Sequence, residues 1–220
     1  MQQAIQLTGK IATLKAAQAI AGTLSAPSKM PCHGYGISAT LCKTGQKLAQ
    51  VKGSVCADCY ACKANYQYPS VKAAHAKRVA HIGSQVWQDA MIYMIKRTGD
   101  LYFRWHDSGD LQSIDHLQAI VNIAIALPQV SFWLPTKEKG IIASAKRAGI
   151  VIPDNLTIRL SAAMVDSDSV NRELTGTVSL VQDKANLSGF HCRAPYQGGK
   201  CLDCRACWQK SEPVIIYQKH

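Results

Sequence analysis

The chain has 220 residues, 47% hydrophobic and 18% charged, which excludes a disordered chain and leaves room for one sizeable core. Twenty-five Lys and Arg against fourteen Asp and Glu give a formal charge of +11, so any macromolecular partner is expected to be anionic, nucleic acid first. The most apolar stretch, residues 120–127 with Asn122 inside it, is too short to cross a bilayer, and residues 1–10 lack the charged head and apolar run of a secretory signal. A soluble, cytoplasmic, single-domain chain over 1–220 is expected, with no membrane partner.

Residues 9–23 are alanine-rich with apolar positions at helical spacing, which predicts a helix. Residues 26–55 carry Pro27, Pro31, Gly34, Gly36, Gly45 and Gly53 and read as irregular. Residues 70–97 read as one long helix, capped by Ser70 and closed by Thr98-Gly99. The texture then changes. Residues 101–106 form a strand by composition, followed by Asp107-Ser108-Gly109-Asp110, and Ser113 caps a helix running to Leu127. Residues 130–134 give a second strand, 140–148 a short helix and 156–161 a third strand. Residues 1–98 are thus a helical, cysteine-rich part, 99–165 a βαβαβ core, and 166–220 a segment with a C-terminal strand and a cysteine cluster. The alternation predicts parallel strands with right-handed crossovers, and the chain is short for a closed eight-fold barrel of roughly 250 residues. The expected fold class is α/β: a partial (β/α) barrel-like parallel sheet with a cysteine-rich N-terminal loop and C-terminal segment.

In such folds the working site lies at the carboxyl ends of the strands. Period-two alternation places Tyr102, Arg104 and His106 on one face, and Thr157, Arg159 and Ser161 on another strand's equivalent face. With Asp107, Asp110, Thr136 and Lys137 these residues are expected to line one cavity. Arg104 and Arg159 would hold a carboxylate or phosphate, and His106 or Asp107 would handle a proton. A half-exposed polar sheet face is the plainer reading of the same alternation.

Nine cysteines in a chain with no sign of export point to metal rather than disulfides. Two heptapeptides share the form Cys-x-Asp-Cys-x-Ala-Cys: Cys56 to Cys62 and Cys201 to Cys207. Cys42 precedes the first and Cys192 the second, with Cys32 left over. Zinc sites usually use separated CxxC pairs, whereas a third cysteine two residues further on suits a loop wrapped around an iron–sulfur cubane. The expected ligands are Cys42, Cys56, Cys59 and Cys62 for one set and Cys192, Cys201, Cys204 and Cys207 for the other, giving one or two [4Fe-4S] clusters. Zinc is the alternative, and free thiols the plain one. Two such anionic clusters would bring +11 to about +7. The C-terminal quartet, beside Trp208, reads as a structural or electron-relay site. The N-terminal set has Cys32 as a fifth candidate, and with only three of the five bound it would keep an iron open to substrate or cofactor.

Ser28-Lys29-Met30-Pro31, Cys56-x-x-Cys59-Tyr60-Ala61, His106-Asp-Ser-Gly-Asp110, Phe132-Trp133-x-Pro135-Thr136-Lys137 and Cys204-x-x-Cys207-Trp208 together resemble the phage "gene product 88" family, from about residue 26 to the end. The resemblance implies a phage or prophage origin, hence the host cytoplasm. That family is distantly similar to radical S-adenosylmethionine enzymes, which carry CxxxCxxC where this chain has CxxCxxC. The similarity implies S-adenosylmethionine as a further cofactor, with Ser108-Gly109 in place of a Gly-Gly pair and Thr136 and Ser161 beside it. An enzyme acting on an anionic nucleotide, nucleic acid or other small molecule is expected. A non-enzymatic iron–sulfur or zinc protein that binds nucleic acid or a host protein is the alternative.

Overall fold

The computed structural model describes residues 11–219. Residues 9 and 10 of the expected first helix, the stretch 1–10 discussed above and His220 lie outside the described residues. Seven parallel strands form one open sheet: β1 (Gly34–Tyr35), β2 (Tyr102–Trp105), β3 (Ser131–Thr136), β4 (Leu156–Ser161), β5 (Thr177–Gln182), β6 (Phe190–His191) and β7 (Val214–Gln218). Their order across the sheet is β1-β2-β3-β4-β5-β7-β6, every neighbouring pair parallel. The architecture is α/β and consistent with a partial β/α barrel.

Among the described residues six α-helices accompany the sheet: α1 (Leu14–Ala21), α2 (Lys43–Leu48), α3 (Pro69–Val79), α4 (Gln85–Thr98), α5 (Ile114–Ala126) and α6 (Lys139–Arg147). The main core lies between them and one sheet face. There Phe103 and Trp105 of β2, Phe132 and Leu134 of β3 and Leu156 and Ile158 of β4 are buried with Trp87 and Met91 of α4 and Leu117 and Ile120 of α5. Burying this many large apolar side chains, each worth roughly 1.5–3 kcal/mol, fixes the register of the central strands. Ser113 caps α5 by accepting from His116 N, and left-handed Gly99 closes α4.

The single helix expected over 70–97 is two. Gly83 has φ +83°, and Ser84 accepts from Trp87 N to start a new helix. A Cβ on Gly83 would come within 3.2 Å of His116 N, so α5 packs against the break itself. Helix α3 starts with Pro69 after an N-cap at Tyr68, not at Ser70. Short α2 interrupts the stretch read as irregular, and β1, too short for alternation to reveal, pairs with β2 through Gly34, whose Cβ would lie 2.9 Å from the Arg104 carbonyl oxygen. The C-terminal part holds three strands where one was expected. Residues 192–213 form the crossover from β6 to β7, with short 3-10 helices at Ala194–Tyr196 and Ala206–Trp208, and the second of these covers the β2 and β4 side of the second sheet face.

Candidate metal centre

The two cysteine sets occupy two places in the fold. The loop 42–62 lies over the carboxyl ends of the central strands. Cys42 is the N-cap of α2, and Glu138, just past β3, accepts from Thr44 N at 2.7 Å and Thr44 Oγ1 at 2.8 Å, tying the start of that helix to the sheet. Further along, Val55 N donates to Ala163 O and Val165 N to Gly53 O, so the loop also pairs with the chain leaving β4. A 3-10 turn at Tyr60–Cys62 follows, and the Tyr60 hydroxyl donates to the Asp107 carbonyl at the end of β2.

This anchoring gathers Cys42, Cys56, Cys59 and Cys62. A Cβ on Gly45 would lie 3.6 Å from Cys42 Sγ and 3.7 Å from Cys56 Sγ, so the missing side chain leaves the space beside both sulfurs clear. Cys62 and Cys59 are hydrogen-bonded neighbours, and Cys59 adds to the cost of ionising Cys56. Burial pushes the Cys42 thiol up to about 12, helped by the negative charges of Asp110, Cys59, Cys56 and Glu138. The Cys56 thiol is raised by burial as well, with Lys137 pulling the other way. Thiols in this state become ligands only when a metal displaces the proton.

The second set collects on the sheet face opposite the helices. Cys192 lies within electrostatic reach of Cys201, Cys204 and Cys207, and Cys207 Sγ is 3.1 Å from the Tyr217 hydroxyl. Cys32 belongs here and not with the N-terminal set. It is buried with Trp133 and Trp208, is charge-coupled to Cys201, and follows Met30, whose Sδ is 3.9 Å from Cys201 Sγ. Nothing in the spacing could place it, because its company is decided by the Lys29 carbonyl accepting from Cys201 N.

Arg159 is the strap of this second group. It is 0% exposed and donates to four carbonyls, those of Cys207 (2.9 Å), Glu212 (2.8 Å), Ala206 (2.9 Å) and Gln209 (2.7 Å). Four of its five N–H donors are thus spent on backbone, and the expected anion clamp is a loop clamp. Thr157 Oγ1 donates to Trp208 O, and the Trp208 indole donates to Phe103 O, so the polar face of β2 and β4 is covered rather than open.

Arg104 differs. Its guanidinium lies over the Trp133 ring at 4.7 Å, touches Met30 Sδ at 3.8 Å, and keeps Nε buried without a partner. Burial opposes its charge, but Tyr60, Asp107, Tyr217 and Cys207 around it together hold its pKa above the usual value. It thereby neighbours both the Tyr60 side of the N-terminal loop and the Cys207 side of the C-terminal segment.

His106 leaves the face predicted for it. Its φ of +54° breaks the strand alternation, and its ring packs 5.3 Å from that of His116 on α5. Burial, then the Arg104 charge, pushes its pKa down to about 3, so it is neutral, and neither ring nitrogen has a partner. Asp110 accepts from Thr136 Oγ1 (2.6 Å), Lys137 N (2.8 Å) and Leu111 N (2.7 Å), pinning the end of β2 to the end of β3. Ser108 donates to Ile37 O, and Gly109 (φ +75°) sits where a Cβ would clash with Ile37 Cγ1. Both therefore serve the β1–β2 junction. Ser161 lies at the end of β4 in register with Ser179.

A family model described as Gene product 88 matches residues 2–210. The chain belongs to the phage gene product 88 family. No curated protein and no solved structure matches it. In this gene product 88 protein, no three His, Cys, Asp or Glu side chains among the described residues converge as they stand on a single metal ion. A multi-iron cluster spreads its thiolates further than one ion does, and the all-thiol donor sets, with Gly45 clearing space beside two of them, fit such a group. No helix among the described residues is long and apolar enough to cross a membrane. No pattern in the sequence singled out Glu138 and Tyr60, which tie the cysteine loop to the strand ends, or Tyr66 and His75, which line a cleft beside it through the fold of α3 and the turn before it.

Proposed function

We propose that this gene product 88 protein binds iron–sulfur clusters through Cys42, Cys56, Cys59 and Cys62 at the strand ends and through the C-terminal cysteines on the covered face. On this reading it is an enzyme of the host cytoplasm, similar to radical S-adenosylmethionine enzymes, that acts on a nucleotide or another anionic substrate. The observation that carries the reading is the anchoring of the N-terminal set by Glu138 over the carboxyl ends of β2 and β3, where α/β sheets of this kind do their chemistry.

A bound cluster supplies one-electron chemistry. The chain's own residues do the rest. Glu138 and Asp110 hold the loop and the strand ends in place, and Tyr60 ties the loop to the end of β2. Arg104 supplies a fixed positive charge between the two cysteine groups, suited to an anion or to an anionic cluster. The charge of +11 favours a second reading, a metalloprotein that binds nucleic acid without catalysis, whose affinity would fall steeply with salt.

The test is anaerobic purification with iron, sulfide and zinc analysis and a visible spectrum, on wild type, Cys56→Ala and Cys204→Ala. Each variant should lose the iron of one group and keep the other's. A colourless protein holding zinc alone would overturn the cluster reading. Absence of both 5′-deoxyadenosine and methionine after incubation with S-adenosylmethionine and dithionite would remove the radical reaction.

A further inference from the structure

The two cysteine groups sit in opposite electrostatic surroundings. Around the C-terminal group the charges are positive: Arg104 and Arg159 act on Cys207, and Arg104 and Arg205 act on Cys201. Among the described residues none of these three arginines is in an ion pair, so their charge is not cancelled at contact. Arg159 is spent on neutral backbone carbonyls, one of them that of Cys207 itself, and Arg205 donates to the Cys204 carbonyl at 2.9 Å. Around the N-terminal group the balance reverses. Asp110 and Glu138 act on both Cys42 and Cys56, with Lys137 opposing them at Cys56, and Lys63 is turned to Asp58 at 3.4 Å.

Hydrogen bonding to sulfur differs as well. The Tyr217 hydroxyl lies 3.1 Å from Cys207 Sγ, and the Ala194 N–H donates to the Cys192 sulfur. Ligation removes the Cys207 proton, and a thiolate only accepts, so Tyr217 becomes the donor in that bond. Tyr217 is held in place by β7, in register with Val181 of β5, and by packing against the group of Cys32, Trp133 and Trp208. In the N-terminal group the bond between the Cys62 and Cys59 thiols vanishes once ligation deprotonates both. Reduction adds one negative charge to a cluster. Positive charge and donors aimed at its sulfurs favour the reduced form, and carboxylates oppose it. Burial opposes charge in both groups, pushing Cys42 up to about 12 and Cys207 to about 11, and so does not set their order.

We propose that the C-terminal cluster has the higher reduction potential of the two, set by Arg104, Arg159 and Arg205 and by the Tyr217 hydroxyl bonded to Cys207. The inference rests on the reading of both cysteine groups as cluster sites. Each cluster takes one electron from an external low-potential one-electron donor. No bond is made or broken, and the Tyr217 proton stays on its oxygen. An electron reaching the protein settles on the C-terminal cluster, which is the reservoir. The N-terminal cluster, over the strand ends, fills only with a stronger reductant. Tyr217 acts through Cys207 and is a positioning residue.

The experiment is a redox titration with dithionite and mediators, followed by electron paramagnetic resonance, on the anaerobically reconstituted full chain. Cys56→Ala and Cys204→Ala assign the two signals, and Tyr217→Phe probes the hydroxyl, with iron content and circular dichroism measured on each. The signal missing from Cys204→Ala should appear first as the potential is lowered. Tyr217→Phe should shift the reduction equilibrium of that signal about tenfold against reduction, a fall of about 59 mV for one electron, and leave the other signal in place. A merely structural role would change iron content or dichroism without moving the midpoint. Should Tyr217→Phe lose its iron, the order of midpoints in wild type decides. The inference is overturned when the Cys56-dependent signal appears first or the two midpoints coincide. It is equally overturned by an unmoved C-terminal midpoint in iron-replete Tyr217→Phe. Iron in both groups leaves the cluster reading standing in those cases, whereas a preparation without iron removes that reading and this inference together.

Discussion

Replacing Arg159 by Met keeps most of the side chain's length and removes its donors, leaving the carbonyls of Cys207, Glu212, Ala206 and Gln209 without them. Hydrogen bonds from a charged group contribute about 1.5–3 kcal/mol each, so four would sum to roughly 6–12 kcal/mol. Two effects reduce the loss. A buried guanidinium carries a desolvation penalty of several kcal/mol that Met does not, and carbonyls in a loop regain water when it loosens. A net destabilisation of about 4 kcal/mol results, a large part of the ~5–15 kcal/mol that holds a domain together. For a chain of this size that corresponds to a fall in Tm of about 8–16 °C. Arg159→Lys, with three donors on one nitrogen and no planar fork, should fall between the two. The assay is urea unfolding followed by circular dichroism, with mass-spectrometric measurement of iodoacetamide labelling at Cys207 and, as a control in the other group, at Cys42. Labelling should quicken at Cys207 and not at Cys42. A loss under about 1 kcal/mol with Cys207 labelling unchanged would show that the four carbonyls do not depend on the guanidinium, and the strap would be refuted.

Glu138→Ala removes the acceptor for Thr44 N and Thr44 Oγ1, so stability should drop by about 2 kcal/mol and Cys42 should become the faster thiol to alkylate, the reverse of the Arg159 pattern. Gly109→Ala meets both a φ of +75° and a clash with Ile37 Cγ1; a loss of about 3 kcal/mol or more, or failure to accumulate in the soluble fraction, is expected, and a wild-type melting curve would contradict it. Asp110 is pushed up to about 6 by burial, against the pull of its bonds from Thr136, Lys137 N and Leu111 N. Between about pH 4 and pH 6 the folded chain keeps a proton that the unfolded chain has released. Its contribution to stability therefore falls as pH rises through that window, by on the order of 3 kcal/mol, and stays low above it. Urea midpoints across that range should show the slope in wild type and a flatter profile in Asp110→Asn.

Much of the central fold could be read from the chain because its signals are local. Residues 101–161 alternate strand and helix texture, and Ser113 and Gly99 mark helix ends by chemistry that acts within one turn. The break at Gly83 was hidden because apolar periodicity continues through it; what forces it is α5 lying against the turn. Strands β1 and β6 are two residues each, too short for a period to exist. The alternation argument held for Tyr102 and Arg104 but failed one residue later, where left-handed His106 turns its ring toward α5.

The same division runs through the site. By itself the sequence determined that thiols come in two repeated sets, that parallel strands alternate with helices through the middle of the chain, and which family the chain belongs to, since spacing and order along a chain are properties of the chain alone. Tertiary structure alone decided that Cys32 joins the C-terminal set, that Arg159 clamps a loop while Arg104 keeps an unpartnered Nε, and that Glu138 anchors the start of α2. Those assignments depend on which distant backbone groups and charges are brought within a few ångströms, and no local pattern encodes that.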